Sequence, residues 1–367
     1  MSWFDRRFMA VKSELGAARV APIADEAEEI RVTEGSLRPT RIPLRTLALF
    51  LVGALAVGGL LYTVGVDYVA SLLGTLGWSA PLVLLPHAFI SFFDALGWAR
   101  TLGHNRRRLS IGRLYCIRHA GEAISNLTPS AGLGGEPLKA YLLRRHGIQA
   151  GDGVASLVIA KTAMVCSQFL FTLLGLFLFL SFLGLLQDRA PTLVLAVAAA
   201  LAICVVLVVG QRRGFAARTV RLVERLRIGG AWLARLEQQA EAIDDALVRF
   251  YRDDPRGFAT TLALDMTAWL LGATEVMFLF YLMGVACDWR QALIIESLTQ
   301  ATIAASAIIP GGLGVQEISG TVICRALGIG EAAGAALMLL KRGREMVFTA
   351  IGVALISWLA RGTAAKQ

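Results

Sequence analysis

Pro129-Ser-Ala-Gly-Leu-Gly-Gly-Glu136 interrupts an apolar stretch, and Pro310-Gly-Gly-Leu-Gly-Val-Gln-Glu317 repeats its pattern 181 residues later (317 − 136 = 181). Proline removes a backbone donor and glycine loosens the chain, so each stretch breaks a helix. Inside a bilayer such a break strands backbone N–H and C=O groups, which is tolerated where they are buried in protein or line a wet cavity. Two breaks at matching positions of two halves mark a transporter-like binding site.

The surroundings are membrane-like. Of 367 residues, 56% are hydrophobic, and the mean hydropathy is +0.62. Apolar runs fall at roughly 44–64, 78–101, 152–184, 190–210, 257–284 and 331–360. Each is long enough to cross about 30 Å of hydrocarbon at about 1.5 Å per residue. Regions 111–147 and 290–327 are also apolar, but the Pro/Gly turns cut each into halves too short to cross. They read as hairpins that enter and leave by one side.

Basic residues test this count, because cytoplasmic loops carry the excess of Lys and Arg. Arg106, Arg107, Arg108 and Arg113 follow the second run, Arg144 and Arg145 end the first hairpin, and Arg212, Arg213, Arg218 and Arg221 open the segment 211–256. The loop 65–77 has no Lys or Arg, and those near 185–190 and 285–290 have one each, Arg189 and Arg290. The alternation fits six spans with both termini cytoplasmic. The net charge of +9 then belongs to loops facing anionic headgroups at the cytoplasmic surface. No basic block is interleaved with aromatics, so nucleic acid is not an expected partner.

Two polar segments flank the spans. Residues 1–43 form an expected cytoplasmic segment in which Trp3, Phe4, Phe8, Val11 and Leu15 share a helical face for lying on the membrane surface. Residues 215–254 have no spanning run; Trp232, Leu236, Ala240, Ile243, Leu247 and Phe250 recur at helical spacing. That predicts a cytoplasmic interfacial helix pair, broken at Gly229-Gly230 and dividing a first repeat (about 78–184) from a second (about 257–360). The whole of 44–367 is expected as one transmembrane domain.

The 181-residue offset also aligns Asp94 with Glu275, Ser125 with Ser306, Gly147-Ile148 with Gly328-Ile329, and Lys161 with Arg342, or with Lys341 across one gap. Each repeat thus holds a span with a central acid, a broken hairpin and a long span with a central base. Three crossings separate equivalent elements, which inverts the second copy. The expected fold is an all-α polytopic membrane protein, with about six transmembrane helices and two re-entrant hairpins in an inverted repeat.

Charges inside the apolar spans are unfavourable by about 3 kcal/mol each, so they face an interior or water. Asp94, Lys161, Glu275, Lys341, Arg342, Arg344 and Glu345 are such charges. They pair with each other, Asp94 with Lys161 and Glu275 with Lys341 or Arg342, or their bases bind an anionic headgroup. Glu136 and Glu317 open half-helices after the turns. They either cap those helices or handle cargo. The candidate translocation residues are Asp94, Glu122, Asn126, Pro129, Gly132, Gly134, Glu136, Lys139, Lys161, Glu275, Pro310, Gly312, Gly314, Glu317, Lys341 and Arg342.

His119 and Glu122 share a helical face, as an acid/base pair or a polar surface. No catalytic triad, nucleotide loop or HExxH metal spacing appears, and Cys116, Cys166, Cys204, Cys287 and Cys324 form no CxxC. No enzyme activity, metal, cofactor or signal peptide is expected.

The stretch GEAISNLTPSAGLGGEPLKAYLL (121–143) followed by Gly147-Ile148, a Lys-bearing span, then IIPGGLGVQE (308–317) and Gly328-Ile329, resembles the flippase-like transmembrane domain of lysylphosphatidylglycerol synthases. The likeness runs over roughly 44–360 and includes stand-alone members, some linked to hopanoid lipids in bacteria. It implies lipid translocation rather than synthesis, on the expectation that no synthase domain follows Gln367. It also implies a bacterial inner-membrane location, a membrane lipid as substrate, and a homo-oligomer or a lipid-synthesis enzyme as partner. Two other readings stay open: an intramembrane headgroup transferase using His119, Glu122 and Asp94, and a scaffold holding a synthesis enzyme through 215–254.

Overall fold

The structure, a computed structural model, describes residues 77–128, 132–216, 232–306 and 314–361, with Gly74 and Ser130 besides. The expected surface helix in 1–43, the span 44–64, the Gly229-Gly230 break, and Pro129, Pro310 and Gly312 lie outside the described residues. What is described belongs to one compact unit, Ala48–Gln367.

Among the described residues all regular structure is helical. A 3₁₀ turn, Gly77–Val83, leads into α1 (Leu84–Thr101); a second, Gly103–Arg108, leads into α2 (Ile111–Leu127). Then come α3 (Glu136–Arg145), α4 (Ala150–Phe182), α5 (Leu186–Arg212) and α6 (Trp232–Asp253). The chain continues through α7 (Gly257–Leu282), α8 (Trp289–Ala305), α9 (Val315–Ala326) and α10 (Glu331–Arg361).

Among the described residues, four stretches are long and apolar enough to cross a membrane: Gly77–Thr101, Ala150–Phe182, Leu186–Arg212 and Gly257–Leu282. They match the expected runs 78–101, 152–184, 190–210 and 257–284. The helix α10 covers the last expected run, 331–360, with Lys341, Arg342, Arg344 and Glu345 in its middle. Each expected hairpin region holds two helices, α2 and α3 in the first and α8 and α9 in the second. At 17 residues α2 is roughly 25 Å long, and α3, at ten, roughly 15 Å.

The offset of 181 holds in three dimensions. Ala150 starts α4 and Glu331 starts α10. Before each, a glycine in the left-handed region ends the preceding short helix: Gly147 (φ 79°) and Gly328 (φ 76°). The capping bonds coincide. Ile148 N donates to Leu143 O and Ile329 N to Cys324 O, while Gly147 N donates to Arg144 O and Gly328 N to Arg325 O. That is the same Schellman closure twice.

Packing repeats too. The hairpin helix α2 packs on α10, and its counterpart α8 packs on α4, so each hairpin lies against the other half's long helix. The counterparts α1 and α7 pack on each other. One core cluster gathers Trp98, Leu114, Ile117, Leu142 and Leu143 of the first half; another gathers Val276, Phe280, Ile294, Cys324 and Leu337 of the second.

Small residues allow the close approaches. A Cβ on Gly135 would lie 1.8 Å from the Gly121 carbonyl oxygen, and one on Gly352 would lie 2.4 Å from that of His119. These contacts hold α3 on α2 and α2 on α10, where any side chain would separate the backbones.

Two elements lie outside the repeat. In the segment 215–254, the α6 face bearing Ala246, Leu247, Phe250 and Tyr251 is buried in a cluster with Ala155 and Ile159 of α4, so protein covers it. The Tyr251 hydroxyl donates to Gln211 Oε1 at 2.8 Å, and Gln211 Nε2 donates to Thr162 Oγ1, tying α6, α5 and α4 together. Burial pushes the Tyr251 phenol above its ordinary value, which keeps it a donor. The rest of α5 presents Val194, Leu195, Val205 and Val206 outward, as a lipid-facing helix does.

Candidate functional site

Elements of both halves enclose a cavity of about 530 Å³. The first half supplies Asp94 from α1, Arg118 and Glu122 from α2, Gly132 from the turn, Glu136 and Lys139 from α3, and Lys161 from α4. The second supplies Asp265 and Trp269 from α7, Gln300 from α8, Gln316 from α9, and Arg344 and Glu345 from α10.

Seven expected residues line it: Asp94, Glu122, Asn126, Gly132, Glu136, Lys139 and Lys161. Gly134 stands beside them, its backbone N–H taken by Ser130 Oγ at 2.7 Å. Asn126 Nδ2 donates to Thr349 Oγ1 at 3.1 Å, fixing the α2–α10 crossing.

The ion pairs differ from those expected. Asp94 pairs with Arg118, not Lys161: Arg118 Nη2 donates to Asp94 Oδ2 at 2.7 Å and lies 2.5 Å from Glu122 Oε1. The Arg118 guanidinium serves two carboxylates at once because its donors fork. Lys139 Nζ donates to Glu136 Oε1 at 2.9 Å. Lys161 is left over. Of the four Lys and Arg residues lining the cavity, it alone has no carboxylate within 4.0 Å among the described residues. Its Nζ lies beside the first turn, 3.7 Å from where a Gly132 Cβ would be.

The expected second-half residues Glu275, Gly314, Glu317, Lys341 and Arg342 form a buried network beside the cavity rather than its lining. Lys341 pairs with Glu296 and lies 3.9 Å from Glu275 Oε2; Arg344 holds the other Glu275 oxygen. Glu275 thus meets Lys341, as expected, but not Arg342. Arg342 Nε donates to Glu317 Oε1 at 3.0 Å and its Nη1 to Glu345 Oε2 at 2.8 Å.

The two turn glutamates behave differently. Glu317 Oε2 accepts from Gly314 N at 2.9 Å, so this carboxylate both caps α9 and holds Arg342. Glu136 caps nothing: Ser130 and Ser125 take Gly134 N and Gly135 N, leaving Glu136 to Lys139. Aromatic rings pack on His119, Phe348 stacked and Tyr115 edge-on. His119 lies against Phe348 (5.2 Å between centroids) and Tyr115 (4.4 Å), with Nδ1 3.7 Å from Glu122 Oε2. Glu122 is already engaged by Arg118, so the His119–Glu122 geometry is that of a packed polar face.

Arg118, Asp265, Glu296, Gln168 and Trp269 were not among the expected site residues. Arg118 stands four residues before Glu122, a spacing that signals a helical ion pair. Asp265 and Glu296 are single acids within apolar runs, the signal that selected Asp94 and Glu275. Nothing in the local sequence marks Gln168 or Trp269.

A family model described as the lysylphosphatidylglycerol synthase TM region matches residues 46–352, which takes in the first repeat, most of the second and every residue of the cavity. The chain belongs to the lysylphosphatidylglycerol synthase transmembrane family. A UPF0104 membrane protein of Methanothermobacter thermautotrophicus is 25% identical to this chain over 295 residues, covering 77% of this chain and 86% of its own. No solved structure matches. Family membership and the apolar helices make this a membrane protein with a lipid-related role.

Proposed function

We propose that the chain is a lipid translocator of the bacterial inner membrane, whose cavity takes a polar headgroup while the acyl or hopanoid body stays in the bilayer. Its membrane core is six spans with both termini cytoplasmic, and α2–α3 and α8–α9 are re-entrant hairpins entering from opposite sides. Halves related in this way, with broken helices facing a central site, suit alternating access.

One observation carries the reading. Lys161 is a cation in a polar cavity with its neighbours' carboxylates already engaged. An unpaired ammonium is unfavourable in such a place unless an anionic group meets it. A headgroup phosphate or carboxylate supplies that group. The same logic leaves Glu317 and Arg342, each satisfied by the other, outside the headgroup's path in this state.

The test is reconstitution in vesicles with a labelled anionic phospholipid followed between leaflets. The reading expects movement above that of protein-free vesicles, slowed by Lys161→Ala. Chemical alteration of the lipid without movement would replace it with the headgroup-transferase reading.

A further inference from the structure

Two glutamate–base pairs occupy equivalent places in the two halves, and only one is made. Glu136 corresponds to Glu317 and Lys161 to Arg342, each 181 residues apart. Glu317 and Arg342 are joined at 3.0 Å and nearly excluded from solvent. Glu136 and Lys161 face the same cavity without pairing, and Glu136 is held by Lys139 at 2.9 Å.

The sequence explains how the two halves can differ. The residue equivalent to Lys139 is Gly320 (320 − 139 = 181), so no lysine stands one turn along the helix from Glu317. Lys139 lies flat in a groove: its side-chain carbons fill the space that a Cβ on Gly121 would enter. Three groups therefore share one carboxylate problem in the first half. Lys139 takes Glu136 Oε1, and a move of Glu136 toward Lys161 would make the pair that the second half already has.

Resting on the translocation reading above, we propose that Glu136–Lys161 and Glu317–Arg342 are alternating gates, one closing as the other opens, with Lys139 as the latch that keeps the first open. Near-symmetric halves built from one pattern have two arrangements of similar energy in which the halves exchange roles. In the arrangement seen, the second gate is shut and the cavity extends to Lys161. In the other, Lys161 takes Glu136 and displaces the cargo's anionic group, while Arg342 releases Glu317.

Gln168 reports the state. It lines the cavity seven residues beyond Lys161 on the same face of α4, so shutting the first gate hides it. With the five native cysteines replaced, Gln168→Cys in membrane vesicles is labelled with a water-soluble maleimide. Lys139→Gln should slow labelling severalfold by freeing Glu136 for Lys161. Arg342→Gln, which weakens the second gate, should slow it likewise. Adding Lys161→Gln to Lys139→Gln should restore the original rate, a rescue that misfolding would not give. Equal rates in Lys139→Gln with and without Lys161→Gln overturn the proposal. Lipid movement is followed in the same vesicles: gate coupling without lipid movement removes the translocation reading and keeps the gates, and lipid movement without coupling does the reverse.

Discussion

Arg118 Nη2 reaches Asp94 Oδ2 at 2.7 Å while also lying 2.5 Å from Glu122 Oε1, so one guanidinium neutralises acids from two helices. That arrangement joins α1 to α2 and decides which base in the first half stays unpaired. Arg118→Ala would strand two carboxylates in a poorly solvated site. It should lower stability by about 3 kcal/mol, the scale of breaking a buried pair. Thermal melting in detergent checks this. Arg118→Lys should recover only part of the loss, because an ammonium lacks the forked geometry.

Glu317 caps its helix and holds Arg342, whereas Glu136 does neither. Glu317→Ala should therefore destabilise the protein more than Glu136→Ala, by about 1 kcal/mol or more, the scale of one lost helix cap. Melting of the two variants side by side is the measurement. Glu317→Gln keeps an oxygen for Gly314 N and should fall between wild type and Glu317→Ala.

Gly135 has no room for a methyl group, since its Cβ would overlap the Gly121 carbonyl oxygen. Gly135→Ala forces backbone apart and should lower stability by about 3 kcal/mol, the upper scale of overpacking. Gly112→Ala is the control. Nothing lies within 4 Å of its Cβ, so stability should hold or rise by up to about 1 kcal/mol from helix propensity.

Tyr251 gives its hydroxyl to the buried Gln211 at 2.8 Å. Tyr251→Phe leaves that amide oxygen without this donor and should cost about 1–2 kcal/mol of stability. Adding Gln211→Leu should recover part of it by removing the stranded acceptor; melting of the single and double variants measures both.

The helices were legible because their causes are local. Run lengths placed α1, α4, α5 and α7 within a few residues, and Pro129 and Pro310 fall in sequence between the short helices α2 and α3 and between α8 and α9. The 181-residue offset was legible for the same reason, and it reappears in the matching caps after Arg144 and Arg325. Of the ion pairs, only Glu275 with Lys341 was legible. Asp94 and Lys161 are equivalent to Glu275 and Arg342, but neither couple is joined: Arg118 on a crossing helix takes Asp94, and Lys341 and Arg344 take Glu275. Pairing depends on which helices cross, and no single helix pattern carries that. The difference between Glu136 and Glu317 was hidden similarly, because Ser125 reaches Gly135 N only once the hairpin has folded back.

The measurement closest to the central claim is the rate at which a labelled anionic phospholipid crosses vesicles holding wild-type protein or Lys161→Gln. The account predicts movement well above protein-free vesicles for the wild type and at least about tenfold slower for Lys161→Gln, the scale of losing one charge-assisted contact worth about 1.4 kcal/mol. Equal rates for the two proteins, or a wild type no faster than protein-free vesicles, would contradict it.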